Sequence, residues 1–71
     1  MNLSAALKRA VAIAGSESKL SRVTGYSQPA INKARRRGRV SAEMAIAIER
    51  ALKGAVSRQE LRPDLFGAQH D

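Results

Sequence analysis

The chain has no cysteine, so it can form neither a disulfide framework nor a cysteine metal site. Its one histidine, His70, has no second histidine beside it, and no metal cluster is expected there. Only Tyr26 and Phe66 are aromatic. Sequence-specific readers of single-stranded RNA usually stack bases on aromatic rings, so that class has little support. No apolar run approaches the ~20 residues of a membrane span. Met1–Arg9 lacks the order of a signal peptide, in which charge precedes the apolar run. There is no glycine-rich phosphate loop and no evident carboxylate pair, so neither catalysis nor a cofactor is expected. No alternating apolar run argues for a strand.

What is present is positive charge, placed unevenly. Seventy-one residues suffice for one domain with a modest core, and they carry a net +7. Residues 1–39 hold nine Lys/Arg against Glu17 alone, a net +8. Residues 40–71 hold four against five acids, a net −1. A basic half beside a near-neutral half implies a one-sided surface for a polyanion.

The apolar pattern is helical throughout. Leu3, Ala6, Leu7, Ala10, Val11 and Ala14 trace one side of a first helix, which Gly15 ends. Asn2 and Ser4 are both candidate caps. Ser41 begins another helix, with Met44, Ala47, Ile48, Ala51 and Ala55 on one face and an expected Glu49–Lys53 pair four residues apart. Ser57–Glu60 has the form of a capping box and predicts a short last helix ended by Pro63. Leu61, Leu65 and Phe66 are then the apolar residues left to bury. Residues 1–66 are expected to form a single domain, and 67–71 a frayed tail.

Between the first helix and Ser41 lies the stretch Ser16–Gly38, SESKLSRVTGYSQPAINKARRRG. Ser16 is a suitable N-cap, and Glu17 suits the positive end of the helix it opens. Leu20, Val23 and Thr24 are spaced as one helix face. Gly25 can end that helix in the left-handed region without a Cβ clash. Ser27 caps a following helix, with Pro29 in its first turn, where a missing N–H removes no helical bond. Ile31 and Ala34 mark its inner face, and Gly38 stops it after three arginines. The whole reads as an all-α, compact bundle of five short helices.

Leu20, Ser21, Gly25, Ser27 and Ile31 resemble the buried positions, tight turn and second cap of a helix-turn-helix unit. The tail Arg58–Phe66, RQELRPDLF, is similar to the end of the small Cro/YdaS-like phage regulators. The resemblance spans roughly Leu3–Phe66. Tyr26 stands where the family has a small aliphatic residue, and Thr24 where it has leucine. The resemblance implies a lambda-repressor-like fold and a sequence-specific, double-stranded DNA-binding transcriptional regulator, most simply a Cro-like repressor that excludes RNA polymerase from its operator. It implies a bacterial host cytoplasm, at the nucleoid.

It also implies that positions one, two, five, six and nine of the third helix face the major groove. Here those are Gln28, Pro29, Asn32, Lys33 and Arg36. Gln28 and Asn32 can pair with adenine, Lys33 and Arg36 can donate to guanine, and Pro29 can only touch a thymine methyl. Ser16, Ser18, Lys19, Ser27, Arg35, Arg37 and Arg39 are expected to meet phosphates, which position without specifying. A weak homodimer, formed on an inverted-repeat operator through Leu65 and Phe66, is the expected assembly. Two alternatives stand beside this reading: a YdaS-like protein of a toxin–antitoxin or prophage module, and a nonspecific basic RNA-binding or protein-interaction module.

Overall fold

A computed structural model describes residues 3–66, which form six α-helices and no strand. They are α1 Leu3–Ala14, α2 Glu17–Thr24, α3 Gln28–Arg37, α4 Ala42–Ala51, α5 Arg58–Leu61 and α6 Pro63–Phe66. Asn2, the 67–71 tail and His70 lie outside the described residues.

The helix starts are set by serines. Ser16, Ser27, Ser41 and Ser57 each accept from the amide three residues on, at 3.1–3.2 Å. Each hydroxyl satisfies one of the amides that a helix start leaves without a partner. At Ser57 the box is closed, because Glu60 Oε1 accepts from the Ser57 amide at 3.0 Å. Gly25 ends α2 at φ 83°, donating its N–H to the Ser21 carbonyl at 3.0 Å. A Cβ there would meet nothing within 4 Å, so it is the backbone conformation, not crowding, that asks for glycine.

The core draws on every helix up to α5. Ala6, Leu7 and Ala10 come from α1, Leu20 from α2, Ile31 and Ala34 from α3, Met44, Ala45 and Ile48 from α4, and Leu61 from α5. Leu20 and Ile31 are both fully buried, which anchors α3 against α2. The small Ser21 fits beside the turn, where its hydroxyl donates to the Tyr26 carbonyl at 2.5 Å. Tyr26 packs against the core from the turn itself.

The sequence pattern misplaces several residues. Val23 is 54% exposed, and Thr24 turns inward instead. Thr24 Oγ1 donates to the Leu20 carbonyl at 2.8 Å and accepts from the Tyr26 amide at 3.3 Å, so it ties the end of α2 to the turn. The fourth helix stops at Ala51, and the chain reverses through Lys53 at φ 54° and Gly54 at φ 85°. Ala55 is therefore exposed rather than on the inner face, and Glu49 pairs with Arg58 at 2.5 Å instead of with Lys53. Pro63 does more than end α5: it opens α6, where fixed φ and a missing N–H cost nothing, so there are six helices rather than five. Val40 and Val56 are buried without belonging to any periodic face.

Candidate nucleic-acid interface

The third helix has one buried and one open side. Counting about 100° per residue from Ile31, Arg36, Pro29 and Lys33 fall at ~140°, ~160° and ~200°. All three are exposed. Gln28, also exposed, and the half-buried Asn32 fall at ~60° and ~100°, on one flank. Arg37 lies on the other flank and is exposed. Pro29, Lys33 and Arg36 thus lie opposite the Ile31/Ala34 side, and Gln28 and Asn32 continue the same sector round one flank.

A groove runs along each flank. One, of about 400 Å³, is lined by Glu17, Gln28, Pro29 and Asn32. The other, of about 840 Å³, is lined by Lys33, Arg37, Arg39, Ser41, Met44 and Arg62 among others. The first offers amide donors and acceptors beside a carboxylate. The second sets four cations, Lys33, Arg37, Arg39 and Arg62, around apolar Ala30, Ala34, Val40 and Met44, and the cations suit it to polyanion oxygens.

The residues expected on phosphates fall into three groups. Ser18 and Lys19 are exposed at the start of α2, next to the half-buried cap Ser16. The positive end of that helix adds to their attraction for an anion. Ser27, exposed, caps α3, while Arg37 and Arg39 are exposed where α3 passes into the link to α4. Arg35 stands apart, because its Nη1 donates to Glu17 Oε2 across the two helices.

Arg62 was not a candidate from the sequence, yet it shapes the second groove. It is buried, and its Nη1 donates to the Val40 carbonyl at 2.8 Å. Its Nε and Nη2 bracket Asp64 at 2.9 and 2.5 Å. That fork ties α6 to the link bearing Arg39. The hydrogen bonds from Arg62, aided by its charge and by Arg39, hold the Asp64 carboxyl at about 2, below its usual 3.8. The readable signal was Arg62-Pro63-Asp64, an arginine and an acid on either side of a residue with fixed φ.

Leu65 and Phe66, expected to act together, are separated. Leu65 is 53% exposed. Phe66 packs against the core, and the Arg58 guanidinium lies 5.6 Å from its ring centroid, within cation–π range. Among the described residues there is no group of three His, Cys, Asp or Glu able to hold a metal, and no helix long and apolar enough to cross a membrane.

Comparison with known proteins adds three findings. The family described as bacterial toxin YdaS matches residues 7–70. A protein of Escherichia coli (strain K12) named "Putative transcriptional regulator YdaS" is 42% identical over 59 residues, 82% of this chain; the match spans only 60% of that relative's length. A solved structure, "the Cro protein from putative prophage element Xfaso 1 in Xylella fastidiosa strain Ann-1", is 50% identical and superposes with a TM-score of 0.84, over 96% of this chain and 100% of that one.

Proposed function

This chain belongs to the YdaS family, and from that premise we propose that it is a Cro-like transcriptional regulator that binds double-stranded DNA at a specific sequence. The observation that carries the reading is the uncovered side of α3: Pro29, Lys33 and Arg36 are exposed opposite a fully buried Ile31, with Gln28 and Asn32 on the flank beside them. A helix anchored on one side and bearing amide and cationic side chains on the other can lie in a major groove and donate and accept at base edges. Gln28 and Asn32 take adenine, Lys33 and Arg36 take guanine, and Pro29 makes apolar contact. Ser16, Ser18, Lys19, Ser27, Arg37 and Arg39 hold the backbone on both sides of the groove.

The chemistry is recognition, not catalysis, and it takes place on the DNA of a bacterial cytoplasm. Occupancy of an operator excludes RNA polymerase, which makes the protein a repressor. The same contacts serve a prophage or toxin–antitoxin module equally well. One α3 covers only a few base pairs, so two copies read half-sites about 34–36 Å apart, one helical turn, on an inverted repeat.

Selection of bound duplexes from a random pool tests this reading. An enriched inverted repeat is expected. With about 6–10 phosphate contacts, affinity for it falls ~10³–10⁵-fold between 50 and 200 mM salt. Failure to enrich any duplex would leave only a nonspecific basic module.

A further inference from the structure

Glu17 is the only acidic residue in the first 39. It sits at the first position of α2, in the wall of the groove that Gln28, Pro29 and Asn32 complete. The helix end suits an anion, but on a surface that meets phosphates a free carboxylate would repel them. It is not free. Its Oε2 accepts from Arg35 Nη1, and its side chain is only 18% exposed. On α3, Gln28, Asn32 and Arg35 follow at four- and three-residue spacing, so they form one stripe along the helix. The pair therefore joins the start of α2 to the same stripe that carries two of the reading residues.

We propose that Glu17 is a specificity-determining residue that acts through Arg35, and this rests on the DNA-binding reading above. A guanidinium released on this stripe would reach for phosphate oxygens, which are the same on every sequence. Bound to Glu17, it contributes no such contact. Its Nη1 instead holds α3 against α2 and fixes the line on which Gln28 and Asn32 approach base edges. The pair lowers affinity for random DNA and preserves the geometry needed for the correct site. Both effects raise the ratio of specific to nonspecific binding. Arg35 thus serves as a positioning residue, in contrast to Arg37 and Arg39.

The salt dependence of binding to a random-sequence duplex is the test, because a merely structural pair would not move it. In Glu17→Gln the carboxylate is gone, and with it the charge that holds Arg35. The log–log slope is expected to steepen by about 0.9, one phosphate contact, which amounts to about fivefold tighter random binding at ~0.15 M salt relative to ~1 M. Affinity for a selected duplex should rise less, so the ratio falls. An unchanged slope would overturn the proposal. In Arg35→Gln the slope should stay as in the parent while the ratio falls; a slope shallower by about one would place Arg35 on a phosphate and overturn it. In the double variant the added slope should vanish. If it persisted, the carboxylate would be acting on DNA directly and not through Arg35, which also overturns it. A failure to select any duplex would count against the DNA-binding reading, whereas the slopes on random duplex remain readable by themselves.

Discussion

The two ends of the molecule use arginine in opposite ways. Around α3, Arg36, Arg37 and Arg39 are exposed. Around α5 and α6 the arginines are bound into the protein. Arg58 holds Glu49, and Arg62 holds both Asp64 and the Val40 carbonyl. Arg9, from α1, reaches Glu60 at 3.2 Å and the Ala55 carbonyl at 3.3 Å, closing the chain's two ends on each other. The helix-turn-helix is set by near neighbours: serine caps three residues from their partners and a glycine at the turn. The closing segment is set by side chains that cross the fold. Charge counted along the sequence treats all these arginines alike, so it overstates the free cationic surface of the first half, where Arg9 and Arg35 are already paired.

The largest expected effect tests the near-neighbour half. Ile31→Ala should cost ~2–5 kcal/mol, because a fully buried side chain leaves both lost burial and a cavity. Val23→Ala, on the adjoining helix and more than half exposed, should stay within about 0.5 kcal/mol. Denaturant midpoints of the two variants compare them directly. Equal losses would mean that α3 is not anchored where the burial of Ile31 puts it.

Next in size is the division of labour on α3. Gln28→Ala or Asn32→Ala should each cost ~1–3 kcal/mol on a selected duplex and relax preference at particular base pairs. Arg37→Ala should weaken selected and random duplexes alike and make the salt slope shallower by about one. Competition titrations against both duplexes separate these outcomes. If Gln28→Ala weakened both duplexes equally, the open sector of α3 would be positioning, not reading.

These two regions also show which parts of the structure could be read from the sequence. The caps at Ser16, Ser27, Ser41 and Ser57 and the turn at Gly25 follow from residues within four positions of each other, and each is present. The open and buried sides of α3 follow from helical spacing once Ile31 is fixed. Val40 and Val56 were illegible because each is a single apolar residue in a connecting segment, where no period points inward. Arg62 was legible only in part: Arg62-Pro63-Asp64 signals its acid partner, but its partner at Val40 is a backbone carbonyl 22 residues away, which no residue type advertises. The Glu49–Lys53 pair failed because four-residue spacing counts only while the helix lasts, and α4 ends at Ala51. The pairing of Arg35 with Glu17 was illegible as well, because it depends on the crossing of two helices.

The fork at Arg62 gives the closing segment a pH dependence. Asp64 has its folded-state pKa depressed to about 2 from 3.8. Its contribution is therefore complete above ~3.8 and is lost as pH falls through about 2. The Glu60 carboxyl is also lowered, first by its bond from the Ser57 amide and then by Arg9, so it acts in the same direction. Asp64→Asn should melt below the parent at neutral pH. The gap should close between about pH 4 and pH 2, because the parent loses over that range what the variant never had. A gap constant to pH 2 would show that Asp64 contributes by packing rather than by charge.

The smallest expected effect concerns Leu65, at the edge of the closing segment. Phe66 is packed on the core and stacked by Arg58, whereas Leu65 is 53% exposed. The two neighbours should therefore respond differently. Phe66→Ala should lower the melting temperature, because it removes part of the core's cover. Leu65→Asp should leave melting nearly unchanged, since exposed positions rarely move stability by more than about 0.5 kcal/mol. Its effect should instead be on assembly. Two basic α3 surfaces repel each other, so a pair of copies on adjacent half-sites would be expected to meet through the near-neutral half, where Leu65 is the large apolar side chain left more than half exposed among the described residues. A contact this small would be weak in free protein and would become visible only when DNA holds two copies together. Sedimentation with a selected inverted-repeat duplex should show two copies per duplex for the parent, and a larger share of singly occupied duplex for Leu65→Asp at the same protein concentration. Full double occupancy by Leu65→Asp would place the contact elsewhere.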